Sequence, residues 1–85
     1  MKLVQRLLYV NESGKGVRII LEPWAEQFDI APGARVEIFV HAHGEVANGI
    51  LELEQLEEGL IIYGYEGCVV NLKSDGVDLP SIKQI

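Results

Sequence analysis

With a single cysteine, Cys68, the chain cannot close a disulfide within itself, and it offers no framework of spaced thiolates for a metal. Lysine and arginine are absent from residues 36–72, a stretch that carries seven glutamates. Phosphate recognition needs clustered basic side chains, so this acidic middle and the net charge of −6 argue against a nucleic-acid partner. No apolar run approaches the roughly 20 residues of a membrane-spanning helix. The first ten residues begin like a signal peptide, but Gln5 and Arg6 interrupt the apolar stretch and no small-residue cleavage site follows. The expectation is a cytoplasmic domain with no membrane and no nucleic-acid partner.

What is present is alternation. In a strand, side chains point to opposite faces with a period of two. Val17, Ile19 and Leu21 share one face and Arg18, Ile20 and Glu22 the other. Pro23 ends that segment, because it lacks a backbone donor and restricts the residue before it. Phe28 and Ile30 form the apolar side of a second short segment. Pro32-Gly33 reads as the centre of a type II turn, with proline presetting φ and glycine accepting φ > 0. The clearest pattern follows: Val36, Ile38, Val40 and Ala42 point inward, while Arg35, Glu37, Phe39, His41 and His43 point outward.

Turn chemistry divides the remainder. Asn48-Gly49 is a strong hairpin signal leading to Leu51 and Leu53. Leu60 to Tyr65 and Cys68 to Lys73 read as a further hairpin around Glu66-Gly67, and Ser74-Asp75-Gly76 as another turn. Leu3 to Val10 has two apolar faces and reads as a strand rather than a helical turn. Eighty-five residues make one domain of seven to eight short strands. Strands at this spacing imply an all-β fold, a small antiparallel sandwich or partly closed barrel.

Candidate chemistry is sparse. His41 and His43, two apart on one strand face, could with Glu37 or Glu45 hold Zn²⁺, Ni²⁺ or Cu²⁺. Lacking further ligands at known spacing, they are expected to be ordinary surface histidines, and no cofactor is expected. Cys68 falls on the face of Val70 and Leu72, away from the histidines, so no Cys–His nucleophilic pair forms. Asn11 to Gly16 lacks the glycine-lysine spacing of a phosphate loop. Glu52 and Glu54 are neighbours on one strand rather than opposed across a cleft. No catalytic residue is assigned, and the chain is not expected to be an enzyme.

Interaction residues are easier to name. Ile20 and Phe39 point outward, flanked by Arg18, Glu22, Arg35 and Glu37, a small apolar centre with a charged rim. Trp24 either caps the end of the core or anchors a partner. These residues suggest a protein-interaction module, a homodimer or the acidic partner of another protein; the alternative is a small-molecule or metal-binding domain using His41, His43 and nearby carboxylates. A second sheet or the N-terminal strand covering that face is the competing explanation.

Leu21-Glu22-Pro23-Trp24-Ala25-Glu26, followed by Ile30-Ala31-Pro32-Gly33-Ala34-Arg35-Val36-Glu37-Ile38, resembles a group of small bacterial all-β proteins. These share a leucine-glutamate-proline-tryptophan corner and a proline-glycine turn into the next strand. The resemblance covers about residues 9 to 40. It implies an all-β cytoplasmic domain and brings no activity and no catalytic residues.

Overall fold

The computed structural model describes residues 1–44 and 49–83. The strands are β1 (Lys2–Val10), β2 (Val17–Glu22), β3 (Glu26–Ile30), β4 (Arg35–Ala42), β5 (Glu52–Leu56), β6 (Gly59–Tyr63), β7 (Cys68–Ser74), β8 (Val77–Asp78) and β9 (Ile82–Lys83). They form two sheets, β1-β4-β7-β8 and β5-β6-β2-β3-β9. The molecule is 20 Å across its shortest axis, the thickness of two layers about 10 Å apart plus their outer side chains. The all-β sandwich is as expected, and the sheets do not close into a barrel.

The alternation locates the core. Val36, Ile38, Val40 and Ala42 of β4 face Val17, Ile19 and Leu21 of β2, and Phe28, Ile30, Leu60, Ile62, Cys68, Val70 and Leu72 complete the buried cluster. Ile38→Ala is expected to cost about 2–5 kcal/mol, the range for truncating a buried aliphatic side chain. Glu37→Ala, one residue away, is expected to cost less than about 1 kcal/mol, because its bond to Arg6 is open to solvent. Urea unfolding of both variants checks the contrast; equal losses would overturn the inside–outside assignment.

Local chemistry explains the turns. Gly33 has φ of 80° and the Ala34 N–H donates to the Ala31 carbonyl at 3.1 Å, as a type II turn on Pro32-Gly33 requires. Asp75 and Gly76, both at positive φ, join β7 to β8 with Ser74 opposite Val77. That is the mirror-image two-residue turn whose twist matches a hairpin. At the Glu22–Ala25 corner the Glu22-Pro23 peptide is cis, and the Ala25 N–H donates to the Glu22 carboxylate at 3.1 Å.

Among the described residues seven strands are at least five residues long, in keeping with the expected seven to eight, and two more span only two residues each. Other expectations are corrected. The β2–β6 pairing is parallel, with Ile20 opposite Ile61, so the sandwich is not antiparallel throughout. Residues 60–65 and 68–73 are not a hairpin, because β6 and β7 lie in different sheets and Glu66-Gly67 is a crossing between layers. β4 and β5 likewise lie in different sheets and do not pair; the hairpin turn expected at Asn48-Gly49 includes Asn48, which is outside the described residues. In β1 the register shifts between Leu3 and Gln5. The extra residue exchanges the faces, so Leu3 lies outward while Leu7 and Tyr9 pack on the core.

Candidate interaction surface

Directly opposed residues in a ladder share a face, so the register maps the outer side of the β1-β4-β7-β8 sheet row by row. Leu3, His41 and Val69 form one row; Arg6, Phe39 and Asn71 the next; Leu8, Glu37, Lys73 and Asp78 a third; Val10 and Arg35 close it. Phe39 is central and half-buried. The Arg6 guanidinium lies 5.4 Å from its ring centroid and the Lys73 ammonium 5.9 Å, both within cation–π range. Each cation is also tied to a carboxylate, Arg6 to Glu37 at 2.8 Å and Lys73 to Asp78 at 3.7 Å. The ring is thus bracketed by two cations, each held by a carboxylate.

Around this centre Leu3 is 45% exposed, Leu8 51% and Val69 38%. Leu3 and Val69 flank His41 on either side. The result is a shallow groove lined by Leu3, Phe39, His41, Asn71, Lys73 and Asp78. Arg35 makes no ion pair among the described residues.

Ile20 is on the other side of the molecule. It belongs to the second sheet, where it faces outward beside Ile61 and Gln27, so Ile20 and Phe39 occupy the outer faces of opposite layers and form no single patch. Arg18 and Glu22 go with Ile20, and Arg35 and Glu37 with Phe39. The two residue groups share the outward phase of their strands but not a sheet, and period-two alternation cannot distinguish these.

The outer face of the second sheet is acidic. Arg18 meets Asp29 at 3.7 Å, and Glu22, Glu52 and Glu54 surround Tyr63. The Tyr63 hydroxyl donates to Glu54 at 2.7 Å. Its phenol is held above the ordinary tyrosine range, first by that hydrogen bond and then by desolvation and the nearby carboxylates.

Trp24 is half-buried and packs against the core. A side chain at Gly64 would run into the Trp24 ring and lie 3.1 Å from the Cys68 sulfur, so the indole is a lid on the end of the core, seated on a glycine. Cys68 is buried as a free thiol. His41 sits within β4, but His43 lies beyond its last residue, so the strand does not hold both imidazoles on one face. Glu45 is outside the described residues. Among the described residues no group of three His, Cys, Asp or Glu side chains could hold a metal ion, and no helix is long and apolar enough to cross a membrane.

Asn11 was legible only as part of a turn, yet it is the one buried polar side chain among the described residues. Its role is structural, holding the β1–β2 loop to the end of β3. Comparison with protein-family models, curated proteins and solved structures finds no match.

Proposed function

We propose that this chain is a non-enzymatic, cytoplasmic protein-interaction module that self-associates through the outer face of its β1-β4-β7-β8 sheet. The observation that carries the reading is Phe39, held at the centre of that face between Arg6 and Lys73 with Leu3, Leu8 and Val69 exposed around it. An apolar centre inside a polar rim is the anatomy of a protein interface, and aromatic and arginine side chains are its usual anchors.

Charge complementarity favours a second copy as the occupant. The face alternates in sign, with Arg6 beside Glu37 and Lys73 beside Asp78. A two-fold contact sets each patch against its own copy, so the Arg35 guanidinium of one copy can meet a carboxylate of the other. Phe39→Glu places a carboxylate at the centre of this contact, between two cations of its own chain, where the fold tolerates it. Sedimentation is expected to show an assembly for the wild-type protein and a smaller, folded species for Phe39→Glu. A wild-type monomer throughout the micromolar range would end this reading.

A further inference from the structure

Each sheet of an open sandwich ends in two edges, and an unprotected edge is a template for another strand. Three of the four edges are blunted. β8 and β9 are each two residues long, and β5 alternates Glu52 and Glu54 along its five residues. β1 differs: among the described residues it pairs only with β4, it spans nine residues without proline, and its charged side chains are Lys2, at the irregular end, and Arg6, which is tied to Glu37. Its irregularity is confined to the Leu3/Gln5 end, which leaves Arg6 to Val10 in regular register.

The direction of the backbone groups follows from one bond. The Asn11 N–H donates to the Ala34 carbonyl at 3.0 Å, just beyond the Val10–Arg35 pair. Backbone groups alternate sides along an antiparallel strand. Tyr9 and Leu7 therefore direct their N–H and C=O groups to β4, and Arg6, Leu8 and Val10 direct theirs to the open edge. Leu8, half exposed, is the middle residue of those three.

We infer that β1 pairs antiparallel with β1 of a second copy, about a two-fold axis at Leu8. Leu8 and its counterpart exchange both backbone hydrogen bonds, and each Arg6 exchanges both with Val10 of the other copy. An identical strand suits this edge because the pairing satisfies the same outward groups on both sides. Centring it on Leu8 brings the two exposed leucines together on the outer face. Centring it on Arg6 would set two guanidinium groups opposite each other, which is unfavourable. A β5 edge would meet another β5 edge as glutamate against glutamate. This contact goes beyond the Phe39 face proposed above: it uses backbone at the side of the sheet and leaves two Phe39 centres side by side on one continuous layer.

The test uses the full chain carrying Phe39→Glu, so that face contacts are silent, with sedimentation from micromolar to submillimolar concentration. A dimer is expected, and adding Leu8→Pro should reduce it to a monomer. That proline removes an N–H that β4 does not use, and an edge strand accepts proline where its N–H faces solvent. Circular dichroism confirms that the variant stays folded. If it does not fold, Leu8→Cys in a Cys68→Ser background replaces it. Directly opposed, hydrogen-bonded residues lie about 5.5 Å apart between Cα atoms, within disulfide reach. Oxidation should then cross-link Leu8→Cys at least tenfold faster than Val77→Cys on the opposite edge. A dimer unchanged by Leu8→Pro, a strictly monomeric Phe39→Glu protein, or equal cross-linking rates would each overturn the edge pairing. Failure of the Phe39 reading shows separately, as a wild-type assembly that Phe39→Glu leaves unchanged.

Discussion

Asn11→Ala is expected to destabilise the protein by about 2–4 kcal/mol, although the residue lies in a loop just past β1. Asn11 is 1% exposed. Its side-chain amide donates to the carbonyls of Lys15 at 2.8 Å, Ala31 at 3.0 Å and Ile30 at 3.3 Å. Its carbonyl oxygen accepts from the Ser13 N–H at 3.1 Å and the Ser13 hydroxyl at 2.7 Å. Its main chain is engaged as well, with the N–H on Ala34 and the carbonyl accepting from Gly33 at 2.7 Å. One side chain thus ties the β1–β2 loop to the end of β3 and the β3–β4 turn, which is to say one sheet to the other. Each buried group left without a partner costs about 1–3 kcal/mol, and part of this set regains water in the variant. Asn11→Asp is the sharper variant. It keeps the shape but aims carboxylate oxygens at carbonyl oxygens, so near neutral pH it should be less stable than alanine. The urea midpoint at constant slope measures both. A loss below about 0.5 kcal/mol for either would show that the network holds nothing together.

Gly59→Ala should cost on the order of 3 kcal/mol or more, for a steric rather than a polar reason. Gly59 opens β6 after the β5–β6 turn and stands beside Arg18 in the parallel β2–β6 pair. Its φ is 156°, and a Cβ there would collide with the Arg18 carbonyl and lie 2.7 Å from the Arg18 nitrogen. The neighbour is backbone, already fixed by the Arg18 N–H donating to the Glu58 carbonyl at 2.8 Å. No side chain can swing aside, so either the two central strands part or the turn is rebuilt. Losses of this size belong to strain at special backbone positions. Gly76→Ala is the control: its φ of 77° is also positive, but a Cβ there meets nothing within 4 Å, so it carries conformational strain without a clash. Thermal unfolding of the pair separates the two effects, and equal losses would remove the steric argument.

The candidate surface was half legible. Arg35, Glu37 and Phe39 were placed outward on β4 by alternation alone, and they are outward. Alternation does not reveal Arg6, Lys73 and Leu8 as their neighbours, because β1 and β7 reach β4 from opposite ends of the sequence. The bulge near Leu3 also breaks the alternation, which by itself puts Leu3 and Leu7 on one face, whereas Leu3 lies outward and Leu7 packs on the core. Alternation groups Ile20 with Phe39 for the same reason in reverse. Similar phase on two nearby strands reads as one face when their sheet membership is unknown. Asn11 signals a turn and nothing of its burial, since an asparagine before Glu-Ser-Gly fits any solvated turn equally well.

Residue by residue, then, local pattern in the chain dictates the buried faces of β2, β3, β4 and β7, the turns at Pro32-Gly33 and Asp75-Gly76, and the all-β character of the fold. These properties depend on neighbours a few positions away: period-two alternation, glycine at positive φ, proline at a strand end. The tertiary structure alone decided that β6 runs parallel to β2, that Glu66-Gly67 crosses between layers instead of closing a hairpin, and that Phe39 shares its face with Arg6 and Lys73. A turn's backbone angles set how the chain reverses, whereas the sheet it enters next is set by which apolar faces must meet across the core. That choice is made by packing between strands distant in sequence, and no local pattern encodes it.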